Sequence, residues 1–422
     1  MQPASTISVY SKYWHRRASV WIILNVGVAI GGVLAARGLG TLTQVALARL
    51  MGVADFGVYT ICYTLLGPVV MVASFGLDTW LLRQGTGAQT LDTTISQVFL
   101  IRFVATGGLM ALAVTVVLVS SQTNTVVPVI LAALGLTFEL LLTTAYTALR
   151  VQMRNRAAAC VQVVVAGLGL ALIWMFWSQQ APLLVATGYR LVAAGVGVGL
   201  VIWLLWRSLR LMYWRLGEFV IIVRQAFPYF ASDLLATVAL KADLTLVALL
   251  LGAVGAGIYS PALTIVNTTF LVPMVAWQVL LPTISQYTPG TRAFRAIVGG
   301  ALLGSVLYGL VWLLVLGWGA DVIIRLVFHV EYMEAAPLLR VMSLIPLLKS
   351  INFCSAMLMV ARDKQVLRTK LLAVSAIINV VANLICIPLF GLTGAAWINL
   401  WTEALLLVCY GYGAWMAVKQ TS

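Results

Sequence analysis

Six ionisable residues lie near the middle of long apolar runs, where charge is rare unless it has a function. They are Arg37, Glu139, Lys241, Asp243, Lys349 and Glu403. One charge at the centre of a bilayer costs about 2.5–3.5 kcal/mol, so six cost on the order of 18 kcal/mol. That exceeds the roughly 5–15 kcal/mol that stabilises a typical fold. If these runs cross a membrane, the six side chains must line a hydrated cavity or pair with one another.

The three cations of this set predict a site for an anionic ligand. Arg37, Lys241 and Lys349 lie on three different apolar runs. An arginine fork matches phosphate oxygens, and a lysine supplies a mobile point charge. Lys241 and Asp243 point about 200° apart on a helix, so Lys241 needs a partner on another helix or on a ligand. Arg190 lies nearer a helix end, and we expect it to reach the membrane interface. Salt bridges that only hold the fold remain an alternative.

The acidic residues are candidates for coupling transport to an ion or for gating. Glu139, Asp233, Asp243 and Glu403 lie in apolar surroundings, where a carboxyl group can bind and release a proton. Asp78 and Arg83, near the end of one apolar run, form a candidate gate pair or an ion pair at the membrane interface. The five cysteines all fall in apolar segments and read as buried structural thiols, and the two histidines are too scattered for a metal site.

The composition identifies the class of protein that must position these charges. Of the 422 residues, 62% are hydrophobic and 9% are charged, against about 25% charged in soluble proteins. A membrane-spanning helix needs roughly 20 apolar residues, and the sequence contains many such runs. We therefore predict an all-α integral membrane protein. The net charge of +14 resides in clusters between the runs, which argues against nucleic acid as a partner and for contact with anionic membrane lipids.

The apolar runs predict twelve transmembrane helices. Their ranges are 18–50, 57–82, 98–119, 127–149, 158–177, 182–206, 222–251, 257–281, 296–317, 335–360, 368–389 and 393–416. Most basic residues fall on one side of this arrangement, and only Arg49 and Arg325 fall on the other. Because positive charge favours the cytoplasmic side, both termini are expected in the cytoplasm. Arg102, Arg292, Arg295 and Arg362 belong to this predicted cytoplasmic belt.

An internal repeat divides the chain into two halves. The segment MGVADFGVY at 51–59 matches LGAVGAGIY at 251–259, with Gly52, Gly57 and Tyr59 aligned to residues 200 positions later. Parallel repeats of this kind are typical of transporters with two lobes around a central site. We predict an N-terminal tail at 1–17, a lobe of six helices at 18–206, a linker at 207–221, a second six-helix lobe at 222–416 and a tail at 417–422. The lobes are expected to be related by a pseudo-twofold axis.

Several segments resemble a family of membrane transporters. ARGLGTLTQVALARLMGVADFGVY at 36–59, KADLTLVALLLGAVGAGIY at 241–259 and PLFGLTGAAWINLWTE at 388–403 are similar to the Wzx-type oligosaccharide flippases. These are the polysaccharide biosynthesis branch of the multidrug/oligosaccharidyl-lipid/polysaccharide (MOP) exporter superfamily, which has a MATE-like fold. The resemblance implies a bacterial cytoplasmic (inner) membrane flippase for undecaprenyl-pyrophosphate-linked oligosaccharides, working by alternating access, and no enzymatic activity.

The resemblance also carries expectations about the site and partners. It implies that Arg37, Lys241 and Lys349 bind the pyrophosphate in the cavity. It implies that a proton or sodium gradient drives transport without a bound cofactor, and that a polysaccharide polymerase and a chain-length regulator are partners. Three alternatives stay open: a drug exporter of the same superfamily, a polymerase or ligase, and a scaffold protein. The first is disfavoured because 18–50 contains no acid, and the second because no large outer loop is predicted.

Overall fold

The computed structural model is helical throughout the residues it describes, which are 6–84, 91–120, 126–152, 154–177, 181–206, 216–289 and 291–419. The helices are α1 (Thr6–Ser74), α2 (Leu77–Gln84), α3 (Leu91–Ser120), α4 (Val126–Val151), α5 (Asn155–Phe176), α6 (Pro182–Leu205), α7 (Leu216–Thr268), α8 (Leu271–Gln286), α9 (Arg292–Val327), α10 (Ala335–Met342), α11 (Ile345–Ala361) and α12 (Gln365–Lys419). A short 3₁₀ turn, Val330–Tyr332, lies between α9 and α10. No strand occurs in these ranges, so the all-α prediction is confirmed.

Nine helices within the described ranges are long and apolar enough to cross a membrane. Three of them, α1, α7 and α12, are each two helices joined at a glycine with non-helical geometry. The chain is therefore a multi-pass membrane protein, while the count of twelve spans and the cytoplasmic position of both termini stay predictions. The cysteines form no disulfide among themselves; Cys62 and Cys354 are buried as expected, but Cys160 is exposed.

The internal repeat marks equivalent turning points in the two halves. Gly52 breaks α1 with φ 73°, and Gly252 breaks α7 with φ 70°. A side chain with a Cβ is disfavoured at such positive φ, whereas glycine adopts it readily. Each half thus reverses direction at the same place in its repeat, as the match between 51–59 and 251–259 predicts.

The two repeat segments also pack against each other. A Cβ built on Gly57 would meet the carbonyl oxygen of Ala253 at 2.0 Å, and one built on Gly257 would meet the oxygen of Val53 at 2.5 Å. Close by, the hydroxyl of Tyr332 donates to the carbonyl oxygen of Ala48 at 2.7 Å. These contacts close the two halves together at the end that is predicted to face outward.

Three main buried clusters organise the interior. One lies mainly in the first half, includes Leu81, Ile95 and Leu149, and extends to the start of α7. Another is formed by α8, α9, α11 and α12. The largest joins the halves through Leu47 and Tyr259 and continues into α9 and α10. The start of α7 packs on the first half at the opposite end from Gly57, where Phe75 and Phe230 stack with centroids 4.8 Å apart. The predicted lobe boundaries stay predictions, and 207–215 lies outside the described residues.

Candidate functional site

A pocket of about 550 Å³ lies between the two halves, and we call it the central pocket. Its walls come from α1, α4, α5 and α6, and the segment 264–271 of the second half closes one side. Arg37, Glu139 and Arg190 are the charged residues that line it. The predicted helix-one arginine therefore does face a cavity between the lobes.

Arg190 is the most constrained cation in the central pocket. Its guanidinium lies over the ring of Tyr63, 4.2 Å from the centroid, and 5.9 Å from that of Tyr59. Its Nε donates to the hydroxyl of Tyr189 at 3.1 Å, and its Nη1 lies 3.4 Å from a carboxylate oxygen of Glu139. A planar guanidinium stacks on aromatic rings in a way that an ammonium group does not. The aromatic side chains thus hold the Arg190 guanidinium in place, with one edge facing the Glu139 carboxylate.

The central pocket carries more positive than negative charge. Arg37 is exposed toward the pocket, and Lys241 is close enough to interact electrostatically with Arg190 and Glu139. Lys241 is not among the lining residues, but its charge adds to the same field. Among the residues that the structure describes, two lining cations and a third nearby outnumber the one lining carboxylate, that of Glu139. The pocket is therefore suited to an anion.

A second, smaller pocket of about 260 Å³ lies inside the second half, and we call it the C-terminal pocket. Here the Lys349 ammonium lies 3.0 Å from one carboxylate oxygen of Glu403 and 4.2 Å from the ring centre of Phe270. Asn352 donates to the other oxygen of Glu403 at 2.9 Å. Lys349 is thus neutralised by a neighbour and is less available to an anionic ligand than Arg37.

Asp243 also lines the C-terminal pocket, and two asparagines of α12 are hydrogen-bond partners of its carboxylate. The amide of Asn383 donates to a carboxylate oxygen of Asp243 at 2.9 Å and also contacts Asn379, one turn earlier on α12. Asp243 interacts electrostatically with Lys349 and Glu403. Sequence reasoning missed these asparagines, although their spacing of four residues on an apolar helix places both amides on one face.

The acid at the inner end of the second predicted span is bonded to a buried arginine and two threonines. Asp78 lies 2.9 Å from Arg102 and accepts hydrogen bonds from Thr144 at 3.1 Å and Thr143 at 3.4 Å. Arg102 is fully buried within the protein, and its position on the cytoplasmic side stays a prediction. The side chains of Arg83 and Asp233 lie outside the described residues, and their roles stay predictions.

The structure thus regroups the predicted site. It does not bring Arg37, Lys241 and Lys349 into one cavity, because Lys349 belongs to the C-terminal pocket. It adds Arg190, whose expected position at the membrane interface was wrong. The sequence feature that could have identified Arg190 as a site residue is its charge within an apolar run. Its contacts with Tyr63 and Glu139 are visible only in the folded structure. Among the described residues, no group of three or more His, Cys, Asp or Glu is placed to hold a metal ion.

The comparisons with known proteins agree with this architecture. A model of the family described as polysaccharide biosynthesis protein matches residues 22–288. No curated protein sequence matches the chain significantly. A solved structure of the lipid II flippase MurJ in an inward closed conformation is similar, with a TM-score of 0.74, 14% identity and coverage of 90% of this chain and 86% of that one.

Two further solved structures share the fold. An inward-facing multidrug resistance MATE family transporter of the MOP superfamily has a TM-score of 0.67 at 14% identity, covering 91% of this chain and 96% of the other. A MOP superfamily transporter from Pyrococcus furiosus, described as having a binding pocket of reverse polarity, has a TM-score of 0.62 at 12% identity, covering 93% and 95%. At such identities the likeness establishes the fold, and the ligand must be argued from the pockets.

Proposed function

The chain belongs to the polysaccharide biosynthesis protein family, and on that premise we propose that it is a flippase for lipid-linked oligosaccharides. It is a multi-pass membrane transporter with the fold of the MOP superfamily. Its proposed substrate is an oligosaccharide joined through a pyrophosphate to an undecaprenyl chain. The proposed location is the bacterial cytoplasmic membrane, where it moves the unit from the inner to the outer leaflet without altering it chemically.

The excess positive charge of the central pocket is the observation that carries this proposal. Of the described residues, Arg37 and Arg190 line the pocket with one acid, Glu139, and Lys241 adds a third positive charge nearby. A pyrophosphate diester keeps its negative charge throughout transport, so its passage through hydrocarbon needs compensating cations. An arginine pair offers planar donors to two phosphate groups at once. A cationic drug would meet net repulsion in the same place.

Glu139 gives Arg190 a partner when the pocket is empty. A buried or half-buried cation without a partner is costly, and the 3.4 Å contact with Glu139 reduces that cost. When a pyrophosphate enters, Arg190 exchanges the carboxylate for a phosphate oxygen while Tyr63 keeps its guanidinium in position. The exchange gives the Arg190 guanidinium an anionic partner both before and after the ligand binds.

We propose that alternating access works through the contacts between the halves. The segments around Gly57 and Gly257 close the end predicted to face outward, so the central pocket is shielded on that side. We propose that these segments separate after the headgroup binds, and that Asp78, held by Arg102 and Thr144, keeps α2 attached to its own half during the movement. The hydrocarbon chain of the substrate stays in the bilayer throughout.

We propose that a proton or sodium gradient drives the cycle through the C-terminal pocket. Asp243 is the leading candidate for coupling, because amides rather than a bonded cation contact its carboxylate. Glu403 is already paired with Lys349, and Glu139 with Arg190. No bound cofactor enters this cycle. A polysaccharide polymerase and a chain-length regulator are proposed to act on the delivered units.

A flipping assay with matched charge variants tests the proposal. The full-length protein is reconstituted in vesicles that contain a polyprenyl-pyrophosphate oligosaccharide, and exposure of the sugar to an external lectin is measured. Arg190→Gln should slow flipping by about tenfold or more, since a charge-assisted bidentate contact is lost. Arg325→Gln, an exposed arginine at the far end of α9, removes the same charge outside the pocket and should have little effect.

Two results would overturn the proposed function. One is lectin exposure that is no faster with the protein than in empty vesicles. The other is an equal flipping rate for the Arg190 and Arg325 variants, which would show that Arg190 of the central pocket has no specific role in transport. If the vesicles instead accumulate a cationic dye, and Arg190→Gln speeds that uptake, the drug-exporter alternative is supported.

A further inference from the structure

An apolar groove of about 540 Å³ runs along the second half, and we call it the α8–α9 groove. Its walls come from α8 and α9, and α11 forms its floor. Gly300 and Gly304 of α9 face it, and a Cβ added to either glycine would have no heavy atom within 4 Å. The groove is therefore open space and is not filled by the protein's own side chains.

The groove is about as long as one leaflet of a membrane's hydrocarbon core is thick. It extends from Ala296 to Tyr308 along α9, which is about 18 Å at the ~1.5 Å rise per residue of a helix. One leaflet of the hydrocarbon core is about 15 Å thick. The groove therefore offers an extended apolar chain a contact surface of about that length.

The groove adjoins both pockets through α8. Phe270, Leu271 and Val272 are consecutive, and they line the C-terminal pocket, the central pocket and the groove respectively. Farther along, Trp277 and Phe353 line both the groove and the C-terminal pocket, with ring centroids 6.1 Å apart in an edge-to-face pair. A single helix and one aromatic pair thus separate the polar cavities from the apolar groove.

The end of the groove predicted to be cytoplasmic carries positive charge. Arg292 and Arg295 are exposed on the first turn of α9, directly before Ala296. Beside them, the guanidinium of Arg362 lies 4.8 Å from the ring centre of Phe294 and donates to the carbonyl oxygen of Tyr287 at 2.6 Å. An anionic headgroup would be attracted to this end while its hydrocarbon chain lies in the groove.

From these four observations we propose that the α8–α9 groove binds the polyisoprenoid chain of a diphosphate-linked lipid while its headgroup occupies the central pocket. This inference rests on the proposed function and adds the place where the tail is held. The groove's apolar walls supply burial for the chain over a length of about one leaflet. A resident phospholipid is the competing occupant.

Two glycines that are neighbours in sequence give a matched test. Gly300→Leu puts a branched side chain into the groove, while Gly299→Leu places the same side chain on the exposed face of α9 outside it. Neither substitution meets a neighbouring heavy atom within 4 Å of its Cβ, so both variants should fold. Binding of undecaprenyl diphosphate and of inorganic pyrophosphate to the full-length protein is measured by native mass spectrometry across a concentration series.

Comparing the two ligands distinguishes binding of the hydrocarbon tail from binding of the diphosphate headgroup. Gly300→Leu should weaken undecaprenyl diphosphate binding by about tenfold through lost apolar contact, with pyrophosphate binding unchanged, and Gly299→Leu should leave both unchanged. Equal binding of undecaprenyl diphosphate to both variants would overturn the groove proposal and leave the proposed function standing. If the wild type binds neither probe, the proposed function fails, and the groove proposal fails with it.

Crosslinking on the wild-type protein decides the question without any substitution. A photoactivatable group placed in the polyprenyl chain of the diphosphate should label peptides that contain 296–308, and unlabelled undecaprenyl diphosphate should suppress the labelling. An excess of phosphatidylglycerol should not suppress it. Suppression by phosphatidylglycerol to the same degree, or labelling confined to other helices, would contradict the proposal.

Discussion

The contact between Gly57 and Ala253 predicts that a single methyl group separates the two halves at the end that is predicted to face outward. In Gly57→Ala, the new Cβ would lie 2.0 Å from the carbonyl oxygen of Ala253 and 2.6 Å from its carbonyl carbon. Both atoms belong to the backbone, so no change of side-chain rotamer relieves the overlap. The two helices must move apart, and in the proposed cycle this is the movement that opens the outer side.

The size of the effect follows from the overlap. Carbon and oxygen atoms in close contact lie about 3.3–3.6 Å apart, so the segments must separate by roughly 1.3 Å or more. Overpacking of a tight contact costs about 1–3 kcal/mol, which corresponds to a roughly 5- to 150-fold change in an equilibrium. The hydrogen bond from Tyr332 to Ala48 opposes the separation, so we expect a partial opening in the lower part of this range.

Labelling of a cysteine in the central pocket measures the opening. In a variant without the native cysteines, Thr264→Cys places a thiol on the pocket wall, and a membrane-impermeant maleimide is added from outside. Adding Gly57→Ala should speed labelling by about tenfold, as the closed population falls. Gly67→Ala is the matched control, because the same methyl group there has no heavy atom within 4 Å. Equal labelling rates in the two glycine variants would refute the idea that this contact holds the outer side closed.

Three further predictions address the charged residues. Glu139→Gln should raise the affinity for inorganic pyrophosphate severalfold by freeing Arg190 from its counter-ion; unchanged affinity in calorimetry would contradict the exchange. Lys349→Met should destabilise the protein by about 3 kcal/mol, because it leaves Glu403 buried without its cation. The double replacement that also removes Glu403 should recover most of the melting temperature, and a double variant no more stable than Lys349→Met would count against the pair. Asp243→Asn should abolish stimulation of flipping by an imposed cation gradient while downhill flipping continues; full stimulation in this variant would remove Asp243 from coupling.

The chain's apolar runs, its repeat and its helix-one arginine were readable from sequence because each depends on local physics. Hydrophobic length specifies membrane helices whatever surrounds them. Gly52 and Gly252 mark the turns because positive φ excludes most other residues. A charge such as Arg37 within hydrocarbon predicts a cavity from its solvation cost alone.

The partners of the charges were decided by tertiary structure alone. Arg190 and Arg102 looked interfacial by their position along the chain, yet one faces Glu139 within a set of tyrosines and the other lies buried beside Asp78. Lys349 resembled a cavity cation but is paired with Glu403. Whether a charge binds a ligand or a neighbour depends on which helix faces it across a few ångströms. The pairing depends on packing between segments far apart in sequence, and the spacing of residues within one helix does not predict it.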